Sequence, residues 1–422
     1  MARKPLVVAG LGIGCAIVIG ALAYAVDWWR TRPVDLATIT TAQWREDLRY
    51  LERELAARHA NAFHRISRRD YEDLADKIDA AIPTLAPRDV PVYLSKLSAS
   101  VGDAHTYLEL PGKQGSYPFH VYYFGDVPRV ISAAPEFKGL LGKRLVKIGS
   151  YEMSEVEKRL REILTQGEND WYYRAHYPWF LTAEVLHALG VVGDDGKAAF
   201  VFSDDGGTES VELGPEQFAS QAWVHAYAKP SLFIEHENED FWFTPMPDGR
   251  TVYLIFNGYA GLEEHARTLF AYIDSHAVQR LIIDMRNNGG GDYLKGHRYL
   301  IAPLLQRAAL NRKGRLYVIT GRNTFSAAMN NAVQFHTETQ ATLVGEPPGE
   351  VPNSYQERRD FRLPNSHLRV NYSVEFYKFL PGDSPALMPD IDAEPDWTDY
   401  AQGRDPALEK IMALPLDPGA AL

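Results

Sequence analysis

The chain has 422 residues, 45% of them hydrophobic and 23% charged, a profile of two or three folded domains that excludes a disordered or low-complexity protein. A formal net charge of −11 gives no electrostatic reason to bind nucleic acid. The single cysteine, Cys15, excludes a disulfide framework, a cysteine-ligated zinc site and a cysteine nucleophile anywhere after it.

Residues 5–26, "PLVVAGLGIGCAIVIGALAYAV", carry no charge and are long enough to cross a bilayer core of roughly 30 Å as a helix. Residues 1–32 therefore read as an N-terminal transmembrane anchor. Arg3 and Lys4 precede the span, whereas Asp27, Arg30 and Arg32 follow it, a bias that leaves the N-terminus inside and the rest extracytoplasmic, in a bacterium the periplasm. A cleaved signal peptide is the alternative, because Ala21-Leu22-Ala23 and Ala23-Tyr24-Ala25 fit a small-x-small site, although the apolar run exceeds a usual h-region.

Residues 33–113 have a helical texture. In "TAQWREDLRYLERELAARH", Trp44, Leu48, Leu51 and Leu55 recur at helical spacing and form one apolar stripe, while Pro83, Pro87 and Pro91 cut the following stretch into shorter helices. Residues 114–215 change to short β-like runs, "FHVYYF" and "RVISAA", then a glycine-punctuated strand pair and the amphipathic helix of "SEVEKRLREIL". This stretch looks like a PDZ-type module, whose open sheet edge captures a peptide as an added strand. The aromatics of residues 171–179 read as buried packing.

Residues 216–422 form the third region, and from Arg250 strands and helices alternate: "TVYLIFN", "EEHARTLFAYIDSH", "RLIIDM", "KGHRYLIAPLLQ" and "RLYVIT". Such alternation predicts a layered α/β domain with strands buried on both faces and ligands at loops off their carboxyl ends. Two loops qualify, "RNNGGGDY" and "GRNTFSAA". The glycines 289–291 permit a tight turn or a close approach to a ligand, but the lysine and hydroxyl of a P-loop and the spacing of a dinucleotide fingerprint are missing. Ser326 stands where a strand hands over to a helix. It reads either as an N-cap or as an exposed nucleophile whose developing negative charge the helix N-terminus would stabilise.

Taken together, "LIIDMRNNGGG", "TFSAAMNNAV", "ATLVGEPPGEVPNSY", "FRLPNSHLRV", "MPDIDAEPDWTDYAQGRDPALEKIM" and the upstream "SASVGDAHTYLEL" resemble the C-terminal processing (tail-specific) serine peptidases, in particular their tricorn-like subgroup. The resemblance runs in register from about Trp44 to Met412. It implies a crotonase/ClpP-like core of ββα units, with a PDZ-like insert between the helical region and that core. It further implies that Ser326 is the nucleophile and that the amides of Gly290 and Ala327 form the oxyanion hole. Many members use a lysine base in the segment that here reads "GEPPGEVPNSYQ". No lysine occurs between Lys313 and Lys378, so the resemblance points instead to His105, which the subgroup motif "GDAHT" supplies as the base. Asp383 is the closest match to the acid that would orient this histidine, with Glu350 and Asp103 as competitors. Ala104 stands where tricorn has a serine, so a complete four-residue relay is not expected. Asp284, Arg286 and Asn288 are expected to hold the glycine loop in shape, and Pro389 and Asp390 to be structural.

The expected function is that of a membrane-anchored serine endopeptidase acting on unfolded or C-terminal peptide segments, with no metal and no cofactor. The alternative is a non-catalytic protein that captures a peptide or apolar ligand on the same fold.

Overall fold

A computed structural model describes residues 33–111, 115–215 and 223–416. The expected anchor at residues 5–26 lies outside these, and no helix among the described residues is long and apolar enough to cross a membrane.

Three helices open the described chain: α1 (Thr41–Arg58), α2 (Arg68–Ala81) and α3 (Val90–Ala99). Thr40 starts α1 with a capping box, its hydroxyl accepting from the Gln43 amide and its own amide donating to Gln43 Oε1, which satisfies two otherwise orphaned donors. The stripe Trp44, Leu48, Leu51 and Leu55 is buried as its spacing predicts. Its partners come partly from far along the chain. A three-stranded antiparallel sheet of β1 (Tyr107–Leu108), β12 (Asn353–Arg362) and β13 (Arg369–Lys378), in the order β1-β13-β12, contributes Phe361, Val370 and Tyr372 to the same core. The buried carboxylate of Asp47 accepts the amides of Asn365 and Ser366 at the β12–β13 turn, fixing the hairpin to α1.

The insert is an antiparallel sheet in the order β2 (Phe119–Phe124), β3 (Val127–Ala133), β4 (Arg144–Ile148), β5 (Ala198–Asp204), β6 (Gly207–Leu213). Helices α4 (Met153–Arg161) and α5 (Asp170–Phe180) belong to it. Tyr172, Tyr173 and Tyr177 of α5 are buried, in line with the packing role read for this aromatic run, whereas Trp179 is exposed.

The third layer is the expected α/β sheet. Its strands are β7 (Phe241–Pro245), β8 (Thr251–Phe256), β9 (Arg280–Asp284), β10 (Leu316–Thr320), β11 (Thr342–Gly345) and β14 (Ile391–Asp392), ordered β14-β11-β10-β9-β8-β7 and parallel except for the edge strand β7. Every residue of β8, β9 and β10 is buried, because α6 (Leu262–Ser275) and α7 (Ala327–Glu338) cover one face and α8 (Pro406–Ala413) the other. Both candidate loops leave the carboxyl ends of adjacent strands, β9 and β10.

Arg286 anchors the first of these loops. Its guanidinium bridges Asp284 at 2.5 Å and Asp405, the N-cap of α8, at 2.6 Å, and lies over the Phe233 ring. Removing one member of such a buried set leaves the other charges without compensation, so Arg286→Ala should cost about 3–5 kcal/mol, read as a lower guanidinium midpoint at an unchanged m-value.

Candidate active site

Two turns meet, one from each end of the chain. After α3 the backbone bends at Gly102 (φ +94), where a Cβ would sit 2.6 Å from Arg65 Cγ, and so delivers Asp103 and His105 to the interior. Asp103 Oδ1 accepts the His105 amide at 3.2 Å and the Ser373 hydroxyl at 2.6 Å. His59 Nε2 lies 2.8 Å from Asp103 Oδ2 while His59 Nδ1 accepts the Asn61 amide, which assigns the proton to Nε2 and the donor role to His59. Burial opposes ionisation of Asp103, but the bonds from His59 and Ser373 prevail and keep its carboxyl below the usual range.

The other turn follows β10. Thr324 Oγ1 donates to the Met285 carbonyl and accepts from the Gly321 amide, and Phe325 donates its amide to Asn288 O. The turn forces Ser326 to φ 55°, ψ −126°, a left-handed conformation that a non-glycine residue holds only under constraint. Ser326 occupies the N-cap position of α7, yet its hydroxyl makes no capping bond. Ser326 Oγ lies 2.9 Å from Nε2 of His105, 221 residues earlier in the chain. The Phe325 ring stacks on the imidazole at 5.0 Å.

Glu350 completes the arrangement. It is wholly buried, its Oε1 lies 3.4 Å from His105 Nδ1, and its Oε2 accepts the Ser326 amide at 2.5 Å. Glu350 comes from the very segment in which the resemblance looks for a lysine. Asp383, the expected acid, is exposed and takes no part. Its loop lies one layer further out: Asn353 Nδ2 donates to the Leu380 and Gly382 carbonyls, while Asn169 Nδ2 bridges Pro348 O in the inner turn and Pro385 O in the outer one. The inner turn reaches the serine because Gly349 has no Cβ, which would otherwise stand 2.4 Å from Arg322 O.

The oxyanion expectation divides. A Cβ on Gly290 (φ +104) would come within 2.8 Å of Ser326 Cβ, so this residue does lie against the serine, but its amide donates to Asn288 Oδ1 at 3.0 Å. The Ala327 amide opens α7, where no carbonyl of the helix itself is available to it. Asn288 Nδ2 is bonded to Phe256 O, and Asp390 accepts the Leu343 amide, as their structural reading anticipates. Nothing in the local sequence around His59 or Ser373 marks them, because their role exists only through Asp103. Among the described residues no three His, Cys, Asp or Glu side chains are grouped to hold a metal.

Burial pushes the His105 imidazole down to about 4 and so keeps it neutral. Burial, reinforced by the nearby carboxyls of Glu168 and Asp103, raises Glu350 well above the usual carboxylate range. His105 Nδ1 is buried without a hydrogen bond here, and Glu350 Oε1 at 3.4 Å is a carboxylate oxygen close enough to take its proton after a small shift.

No family model and no curated protein matches the sequence. Among solved structures the fold matches mature CPAF complexed with lactacystin at TM-score 0.56 and 12% identity, over 88% of this chain and 97% of that one. A second structure of mature CPAF gives 0.53 at 12% identity, over 88% and 96%. The photosystem II D1 C-terminal processing protease aligns over 89% of this chain and 98% of its own, at 13% identity and a lower TM-score of 0.41. The chain thus shares the fold of mature CPAF over nearly the whole of that protein.

The lowered Asp103 acid stabilises the fold above its ordinary 3.8, and this contribution is lost as pH falls through its folded value. In Asp103→Asn the amide nitrogen would face an N–H donor in either orientation, His59 Nε2 or the His105 amide. A loss of about 1–3 kcal/mol is expected at pH 7, shrinking toward acid pH, as urea unfolding at both pH values would register.

Proposed function

We propose that this chain is a serine endopeptidase, with Ser326 as nucleophile, His105 as general base and Glu350, rather than Asp383, as the acid that orients the imidazole. The observation that carries this reading is the 2.9 Å approach of Ser326 Oγ to His105 Nε2, made from a strained strand-to-helix turn. In such a site the serine oxygen attacks the peptide carbonyl carbon as its proton passes to Nε2. The imidazolium is held by Glu350 through Nδ1–H, and the oxyanion meets the Ala327 amide and the positive end of α7. His105 then returns the proton to the leaving amine, and water repeats the sequence on the acyl-enzyme. Unfolded or C-terminal segments are the proposed substrates, and the PDZ-like reading of residues 114–215 supports capture of such a peptide at a sheet edge. The apolar run at residues 5–26 supports a single membrane anchor with the catalytic part extracytoplasmic; deleting residues 1–32 should release the protein from membranes into the soluble fraction.

The chemistry sets a protonation requirement. A protonated Glu350 donates to Nδ1 and leaves the proton of the ring on Nε2, where it cannot accept one from Ser326. An ionised Glu350 accepts Nδ1–H and frees Nε2. Activity should therefore rise with pH as the pair loses one proton, at a pH above the ordinary carboxylate range because Glu350 is raised. Glu350→Gln should remove that limb and lower kcat by about 10²–10⁴-fold. A fluorophosphonate probe should label the wild type and not Ser326→Ala, whose fold should survive. A wild type left unlabelled at any pH, with bound peptide unprocessed, would identify the protein as a binder.

A further inference from the structure

One half-buried acid next to this site belongs to none of the motifs. Glu168 lies on the loop between α4 and α5, in the insert, and this loop closes over the back of the site. The Gln166 amide donates to Ala99 O at 3.1 Å, Thr165 Oγ1 donates to Asp103 O at 3.2 Å, and Asn169 Nδ2 donates to Pro348 O at 3.1 Å. Between these contacts Glu168 Oε2 accepts the Val351 amide at 2.9 Å. Val351 is the residue just after Glu350, and the Asp103 carbonyl held by Thr165 lies two residues before His105. One loop from a third element therefore ties the two chain segments whose side chains must meet at Nδ1.

We propose that Glu168 is a positioning residue that sets the separation of His105 and Glu350 and, through its charge, the pH at which Glu350 becomes the acceptor of the imidazole proton. The proposal rests on the peptidase reading for its kinetic consequence and on geometry alone for its effect on the pair. Two carboxyls in one dry site resist ionising together, so the charge of either holds the proton on the other. The groups that face them are few. Asp103, on the turn after α3, disfavours a charged Glu168 as well as a charged Glu350. Arg65, before α2, favours a charged Glu168, its side chain lying along Gly102 and Gly167. His105 stands at Glu350 itself, His59 is committed to Asp103, and Glu357 and Arg358 of β12 act on His105 with opposite signs. Burial pushes the Glu168 carboxyl up to about 8, so the pair holds a proton through neutral pH.

Glu168→Gln keeps an oxygen that can accept the Val351 amide and abolishes the charge, whereas Glu168→Ala removes that contact. The kcat/KM profile of the full chain on a peptide substrate should keep its plateau in Glu168→Gln, with the acid limb displaced to lower pH by about one unit. In Glu168→Ala the plateau kcat should fall at least about tenfold with KM little changed, as expected when the catalytic groups are misplaced and substrate binding is not. The ring nitrogen shifts of His105, assigned by their loss in His105→Ala, report the same event without turnover: the Nδ1–H form should appear at lower pH in Glu168→Gln than in the wild type. An unmoved ring titration in folded Glu168→Gln overturns the proposal, whatever the activity. A displaced ring titration in a wild type that neither hydrolyses peptides nor accepts fluorophosphonate upholds the role of Glu168 and overturns the peptidase reading instead.

Discussion

The approach of His105 to Ser326 depends on one buried charge. Asp103 is 1% exposed, and a carboxylate removed from water at that depth costs several kcal/mol unless donors surround it. Its donors come from three regions: His59 from the end of α1, Ser373 from β13, and the His105 amide from its own turn. Satisfying that one charge therefore joins the helical region to the C-terminal hairpin, and the imidazole of His105 is aimed as a by-product. Asp103 faces the backbone of His105 rather than its ring, so it holds the turn that carries the imidazole.

Around the serine the cost is conformational. Ser326, at positive φ, persists because its neighbours over-determine the turn: Thr324 is bonded on both sides, Phe325 donates to Asn288 O, and the Ser326 amide donates to Glu350. Glu350 thereby acts on both partners of the dyad. The carboxylate that faces the imidazole also holds the backbone of Ser326, so one side chain fixes the position of both.

Much of the fold was legible in the sequence. The stripe of α1, the proline breaks that follow it and the buried runs of β8, β9 and β10 declare themselves by period and composition, since local pattern and tertiary burial agree there. Ser326 and His105 were readable as a pair only through the motifs that surround them. Which acid lies beside the imidazole was not: Glu350 and Asp383 both sit in proline-containing loops after the serine, and depth alone separates them. That depth comes from Gly349 pressed on Arg322 O, a contact between two loops that no one-dimensional spacing records. The Gly290 amide escaped for a related reason, because Asn288 turns back on its own loop to take it. Glu168 carries no local signal at all, since its amide partner Val351 lies 183 residues after it.

The insert is tied to the nucleophile loop from a second direction. Arg322, four residues before Ser326, is buried with Glu346 and Glu394, lies over the Tyr122 ring, and donates from Nη1 to the carbonyl of Tyr123 at 2.8 Å. Tyr122 and Tyr123 belong to β2, the strand at one end of the insert sheet. The insert thus holds the serine side of the dyad through Arg322 and the histidine–glutamate side through the loop that carries Glu168. A rigid-body shift of the insert would strain both attachments at once, because neither a buried guanidinium with two carboxylate partners nor the loop bonds of Thr165, Glu168 and Asn169 can be released without leaving polar groups uncompensated. Both tethers thus make the distance between Ser326, His105 and Glu350 depend on where the insert sits.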